Sequence, residues 1–180
     1  ETSQLVLPKL ESPRTSYMLS KIYGEALCQH SNLPYMILRP HNIYGPRMGM
    51  RHVIPELLRK ASTIEGEAIE VFSLHHSRTF CYVSDAVNMI FELMKNKDAI
   101  GQVFNIGNQG PEITMGDLAK LIIDIADKDL AITDMGTTQG SPERRAPEMT
   151  RLKNLTGYES EVFLQDGIKR CAEWYGKNVF

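Results

Sequence analysis

The chain is poor in cysteine. Cys28, Cys81 and Cys171 are its only three among 180 residues, and they are widely spaced with no Cys-x-x-Cys arrangement. That usage argues against a disulfide framework and against a zinc site, so no metal is expected, and it suits a reducing, cytoplasmic setting. No apolar run approaches the roughly 20 residues of a membrane-spanning helix, so no membrane partner is expected. Neither sign of charge dominates: 20 Lys and Arg face 22 Asp and Glu, mixed along the chain, for a net charge of −2. The basic stripe that nucleic-acid binding requires is missing, and no nucleic-acid partner is expected. There is no internal repeat and no low-complexity tract. Nor is there a Gly-x-x-Gly-x-x-Gly loop, the element that seats a dinucleotide pyrophosphate on a helix N-terminus.

What remains is an ordinary globular composition, 42% apolar and 23% charged, long enough for one substantial domain or two small ones. Thr15 or Ser16 can cap a helix running to about Ser31, with Met18, Ile22 and Ala26 at four-residue spacing as its apolar face. Asn32-Leu33-Pro34 ends it. Tyr35-Met36-Ile37-Leu38 then reads as a short buried strand between two prolines, and the order is that of an α/β unit. His41–Arg47 is a loop interrupted by a Gly-Pro step. Further helices are predicted over Val53–Ala61, Asp85–Met94, Thr114–Ala126, Thr150–Leu155 and Leu164–Tyr175. Strands are predicted at Ile69–Phe72, Thr79–Val83 and Val103–Ile106. Thr114-Met115-Gly116-Asp117 resembles a capping box with Asp in the place of Glu. Gly136–Pro147, rich in Gly, Pro, Thr and Ser, is expected to be a loop.

One short motif carries chemistry. In Ser16-Tyr17-Met18-Leu19-Ser20-Lys21, Tyr17 and Lys21 stand four residues apart, on one face of the predicted helix. A free phenol, with a pKa of about 10, is a poor base near neutrality, and a neighbouring cation favours its phenolate. A lysine so placed can also hydrogen-bond a ribose. The plainer alternative is a surface helix that carries a tyrosine and a lysine. His75-His76 suggests metal at first sight, but adjacent side chains on a strand point oppositely, and an exposed turn is the better reading.

The order of motifs extends the argument. Tyr17-x-x-x-Lys21-x-x-x-Glu25 is followed by Leu38-Arg39-Pro40-His41-Asn42-Ile43-Tyr44-Gly45-Pro46 and then by Val53-Ile54-Pro55. Next come Arg78-Thr79-Phe80-Cys81-Tyr82-Val83-Ser84-Asp85, Gly101-Gln102-Val103-Phe104-Asn105-Ile106-Gly107 and Arg144-Arg145-Ala146-Pro147-Glu148. Together they resemble the extended short-chain dehydrogenase/reductases that act on nucleotide sugars, the NAD-dependent epimerase/dehydratase family. The stretch Gly140–Arg145 followed by Leu155-Thr156-Gly157-Tyr158 resembles the UDP-glucuronate decarboxylases and related epimerases.

The resemblance implies an α/β fold: the C-terminal part of a Rossmann-like parallel sheet plus a small mixed α/β substrate domain. Residues 1–50 would end the dinucleotide-binding domain and carry the catalytic helix. Residues 51–180 would form mainly the nucleotide-sugar domain, with some segments returning to the Rossmann part. By the same resemblance Tyr17 is the acid/base and Lys21 its partner and ribose ligand. Pro40 and His41 lie where the backbone approaches the nicotinamide of NAD. Asn42 meets the diphosphate region of a UDP- or dTDP-linked sugar, and Arg78 and Arg145 clamp the diphosphate. His52, Val53, Glu70, Val71 and Phe72 enclose the base. Simpler roles stand beside these: Asn42 bonding local backbone, Arg78 exposed at a strand entrance, and Arg144-Arg145 in a solvated turn. Ser73 stands where the family commonly has glycine, so the turn before Arg78 is expected to differ.

Relatives commonly dimerise through the Tyr-Lys helix, so a homodimer is expected. The glycine-rich loop and a catalytic Ser or Thr would precede Glu1. The chain therefore reads as the C-terminal portion of such an enzyme, inactive by itself and without tight affinity for NAD. The alternative class is a non-catalytic nucleotide-sugar-binding or interaction module on the same fold.

Overall fold

A computed structural model describes residues 6–7, 9–12 and 15–180. Helix α1, Thr15–Gln29, leads through the turn at 30–36 into strand β1, Ile37–Pro40. β1 pairs in parallel with β6, Val103–Ile106, in the register Ile37↔Val103 to Pro40↔Ile106. The crossover between them contains α3, Val83–Lys95. Pro40, expected to lie just beyond the strand, is its last residue; it lacks an N–H, and proline is tolerated at such a position.

Two hydrophobic cores organise the molecule. The first surrounds β1 and β6: Phe104 and Ile106 meet Ala86, Met89 and Leu93 of α3, and Met149 and Leu152 at α5, Thr150–Thr156. The second joins three amphipathic helices. α2, Val53–Thr63, buries Ile54, Leu57, Leu58 and Ala61, a 3.6-residue periodicity. α4, Met115–Ile125, answers with Leu118, Ala119, Ile122 and Ile123. α6, Leu164–Asn178, contributes Ile168, Cys171 and Tyr175. Burial of each such Leu or Ile side chain is worth about 1.5–3 kcal/mol. The same core covers one face of β3, Ala68–Val71, which pairs in parallel with β8, Ala131–Asp134. At the start of α4, Thr114 Oγ1 accepts the Asp117 N–H at 3.0 Å and donates to the Asp117 carboxylate at 2.7 Å, a variant of the expected capping box.

The region between the cores departs most from the sequence reading. Of the strand expected over Thr79–Val83 only a two-residue strand forms, β5, Cys81–Tyr82; another short strand, β4, Ser77–Arg78, precedes the expected range, and α3 begins directly at Val83. Arg78 through Tyr82 are all buried, without the alternation of a half-exposed strand, because chain covers them on both sides. β5 pairs in parallel with β2, Ile43–Tyr44, inside the segment expected to be loop. β4 pairs antiparallel with β7, Ile113–Thr114, and parallel with β9, Arg144–Arg145. Asp85, in the first turn of α3, is 1% exposed. Its carboxylate accepts from Tyr158 Oη at 3.1 Å, Glu161 N at 3.2 Å and Val162 N at 3.1 Å, tying the α5–α6 linker to α3.

α1 is covered differently from the expectation. Thr15 is its only buried residue among those described. Met18 is 38% exposed, and Ile22 and Ala26 are only partly covered. The helix is tied to β1 by a two-pronged ion pair, Arg39 Nε to Glu25 Oε1 at 2.7 Å and Arg39 Nη2 to Glu25 Oε2 at 2.6 Å.

Among the glycines, the one with least room for a side chain is Gly167 of α6. A Cβ there would lie 2.8 Å from Tyr44 Cζ and 2.9 Å from Tyr82 Cδ2. Gly167→Ala is expected to destabilise the chain by about 1–3 kcal/mol through overpacking, outweighing the ~1 kcal/mol by which alanine is the better helix former. Urea unfolding reads this as a lower midpoint, and an unchanged midpoint would refute the close approach.

Candidate active site

Two cavities open between the cores. One, of about 510 Å³, is lined by Tyr17, Pro40, Ile43, Tyr44, Met48, His52 and Ile54 together with Asn42, Val53, Phe80 and Arg145. The other, of about 440 Å³, shares those last four residues and continues past Arg78, Ser141 and Thr138 to Lys60, Glu70, Val71 and Phe72. The shared walls make them the two ends of one cleft. Tyr17 marks one end, and the turn after β3 marks the other.

At the first end, Lys21 follows Tyr17 by one helical turn, its Nζ 5.2 Å from the centre of the tyrosine ring. Pro40 ends β1 against the cavity. His41 lines neither cavity; its Nε2 is 3.3 Å from Asn105 Oδ1 and its backbone N–H donates to the Ile106 carbonyl at 2.8 Å. Burial, abetted by the positive charges of Arg145 and Arg39, pushes the His41 imidazole below its ordinary pKa of 6.5.

At the junction, Asn42 takes a left-handed φ of 45°, which asparagine tolerates better than most residues. Its Nδ2 donates to the Thr79 carbonyl at 2.9 Å, and its own carbonyl accepts from Cys81 N at 3.2 Å. Asn42 thus lines the cleft and also ties the β1–β2 loop to the segment carrying Arg78. Local backbone bonding and a place in the cleft wall are combined in one residue.

Besides Arg51, which also lines the second cavity, three arginines of the neighbourhood divide sharply. Arg78 is 8% exposed. Its Nη1 donates to the carbonyls of Ser77 at 2.7 Å and Glu143 at 3.1 Å, and its Nη2 to Pro142 O at 2.6 Å and Ser141 Oγ at 2.9 Å. All four acceptors are neutral. Burial first, and the like charge of Arg145 second, weigh against its charged form. Arg144 turns away to Glu112, with Nε–Oε2 at 2.8 Å and Nη2–Oε1 at 2.6 Å; that fork holds the Glu112 carboxyl below its usual range. Arg145, the register partner of Arg78, lines both cavities. Among the described residues its guanidinium makes no hydrogen bond and no ion pair.

At the far end, Glu70 and Val71 end β3, and Phe72, 48% exposed, forms the rim. His52 and Val53 open α2; Val53 lines both cavities, but His52 lines only the one at the Tyr17 end, apart from Glu70, Val71 and Phe72, with which it was expected to enclose the base. The adjacent histidines separate: His75 is exposed, but His76 is buried with Nδ1 3.4 Å from Ser141 Oγ. The exposed turn expected for both is corrected for His76, because the loop over 136–143 folds across it. Sequence reasoning missed Ser73, Phe80, Thr138 and Ser141 as cleft residues. Ser73 had left a signal by standing in a glycine position, and Phe80 and Ser141 by lying within the quoted motifs; Thr138 had left none.

A profile described as "NAD dependent epimerase/dehydratase family" matches residues 2–107. The chain belongs to that family. It is 36% identical over 140 residues to UDP-glucuronic acid decarboxylase 5 of Arabidopsis thaliana, covering 76% of this chain and 40% of that protein. UDP-glucuronic acid decarboxylase 4 of the same plant is 31% identical over 177 residues, covering 94% of this chain and 37% of its own. Among solved structures, UDP-glucose 4-epimerase of Thermotoga maritima with UDP-glucose superposes with a TM-score of 0.78 at 26% identity, over 92% of this chain and 53% of that one. UDP-glucuronic acid 4-epimerase of Bacillus cereus, in complex with UDP-glucuronic acid and NAD, has the same fold, with a TM-score of 0.81 at 23% identity over 98% of this chain and 57% of its own. The chain thus spans about two fifths of these curated relatives and about half of these solved ones. Among the described residues no helix is long and apolar enough to cross a membrane.

Because the fold disfavours protonated His41, the unfolded chain binds the proton more readily. The contribution of His41 to stability is complete above its ordinary pKa of 6.5 and is lost as pH falls below that value. Chemical denaturation of wild type and His41→Gln between pH 7.5 and about 5 should show the wild type losing stability relative to the variant. Parallel curves would contradict the burial argument.

Proposed function

We propose that this chain supplies the nucleotide-sugar site and the acid/base of an NAD-dependent enzyme that reworks a sugar by transient oxidation. The observation that carries the reading is Arg145. A guanidinium unpaired among the described residues at the waist of a cleft, beside a buried one with no carboxylate partner among them, is a site for a diphosphate. The planar fork matches phosphate oxygens, and an anion relieves the repulsion between the two like charges. The base then lies toward Glu70, Val71 and Phe72, and the sugar toward His52, Tyr44 and Tyr17.

At the sugar end, Tyr17 Oη accepts the proton of the hydroxyl being oxidised and returns it in the reverse step. Lys21 stands one helical turn away, its Nζ 5.2 Å from the centre of the Tyr17 ring. Tyr17, Lys21, Pro40 and the backbone at His41 fit the ribose and nicotinamide end of NAD, which supplies hydride acceptance and return when bound. A ketone beside the acidified carbon permits epimerisation, elimination or decarboxylation, so isomerase and lyase outcomes share this site. The decarboxylase relatives support UDP-glucuronate as the substrate to test first.

In this reading residues 1–50 end the dinucleotide-binding domain and 51–180 are mainly substrate domain, with α3, β6 and α5 as the segments that return to the Rossmann part, where they build the core around β1. The exposed apolar residues Leu19, Tyr23 and Leu27 of α1 support a homodimer that covers this helix. The three cysteines, free among the described residues, are in keeping with a cytoplasmic setting.

Calorimetric titration with UDP and UDP-glucuronate tests the site. A hydrogen bond to a charged group is worth about 1.5–3 kcal/mol, so Arg145→Ala should weaken binding by roughly tenfold to a hundredfold. Arg144→Ala, whose guanidinium is engaged by Glu112, should stay within about threefold of wild type, since exposed ion pairs contribute little. Equal losses in both variants, or no binding to wild type at millimolar UDP, would sink the assignment. In the full-length protein, Tyr17→Phe should retain nucleotide-sugar binding and lose turnover by at least about a hundredfold; retained turnover would remove Tyr17 as the acid/base, and nucleotide-sugar binding without NADH formation in wild type would favour a binding module instead.

A further inference from the structure

Ser73 follows β3 with a φ of 57°, in the left-handed region that glycine occupies freely and an L side chain does not. The residue is buried, 8% exposed, and it holds the adjoining loop at two points. Its N–H donates to the Gly136 carbonyl at 2.7 Å, and its Oγ accepts the Thr138 N–H at 3.0 Å. The other end of that loop is held by Arg78 through Ser141, Pro142 and Glu143. Between the two anchors the loop forms a wall of the nucleotide cavity through Thr138 and Ser141, and it runs directly into Arg145.

Glycine at position 73 would keep the backbone bond to Gly136 and lose the one to Thr138. The hydroxyl is therefore the part of Ser73 that its strained backbone carries for a purpose glycine cannot serve. We propose that Ser73 is a positioning residue for nucleotide-diphosphate binding: through Thr138, its hydroxyl holds the loop that ends in Arg145 in the binding arrangement before a ligand arrives. Holding a loop in its bound form raises affinity because less freedom remains to be lost on association. The proposal rests on reading the cleft as a nucleotide site.

The test compares wild type, Ser73→Gly and Ser73→Ala in the complete chain, with UDP as the probe. Affinity comes from calorimetry, stability from thermal unfolding, and local order from hydrogen exchange at the Thr138 amide. One neutral hydrogen bond corresponds to roughly a threefold to tenfold change in affinity, so both variants should bind UDP more weakly by about that factor. Both should exchange the Thr138 amide faster. Their melting temperatures should separate, with Ser73→Gly above Ser73→Ala because the left-handed backbone suits glycine. Affinity that simply follows melting temperature would reduce Ser73 to a stability residue and overturn the proposal. So would wild-type affinity in both variants despite faster Thr138 exchange, and that result would leave the nucleotide site intact. Failure of wild type to bind UDP would overturn the site and the proposal together.

Discussion

A buried guanidinium has to find acceptors, and that requirement at Arg78 shapes the centre of this molecule. With no carboxylate beside it, Arg78 is satisfied by the carbonyls of Ser77, Pro142 and Glu143 and the hydroxyl of Ser141. Leaving such donors unmet in the interior would cost several kcal/mol, on the order of 3–5. The loop before β9 must therefore pass close to β4, and the parallel pairing that follows places Arg145 in register with Arg78. One clamp thus holds the loop in place and sets a second, unpaired cation at the waist of the cleft.

The same segment connects the two cores. Thr79 gives its carbonyl to Asn42, and Cys81 gives its N–H back to the Asn42 carbonyl. Tyr82 packs edge-on against Tyr44, ring centres 5.5 Å apart, and Tyr44 Oη donates to the Leu164 carbonyl at 3.2 Å. Asp85 then anchors the α5–α6 linker. The α1 side and the β3 side of the cleft are held at a defined separation by one short run of buried chain, whose polar groups nearly all find partners. Thr79 Oγ1 is a buried side-chain oxygen without one.

Much of this architecture is legible in the sequence. The helices α2 to α6 announce themselves by apolar spacing or by caps, and β6 by a compact apolar run. The two-residue bridges β2, β4, β5, β7 and β9 are too short to show a period, and β8, mostly exposed, has no apolar alternation strong enough to read. In the site, Tyr17 and Lys21 were readable because a four-residue spacing puts both on one helix face. The resemblance assigned Arg145, not Arg144, to the diphosphate, but the contact that turns Arg144 away is not local: Glu112, which engages it, lies 32 residues away in sequence. The burial of His76 was invisible for the same reason, since its cover comes from the loop at Ser141.

The sequence by itself determined the α/β class, the family, and the pairing of a tyrosine with a lysine on one helix, because each of these depends on residues near one another along the chain. The tertiary structure decided which arginine clamps the loop and which faces the cleft, that Asn42 ties two segments while lining both cavities, and that a serine in a glycine conformation holds Thr138. These roles depend on hydrogen bonds between residues 37 to 65 positions apart, and local periodicity holds no record of such partners.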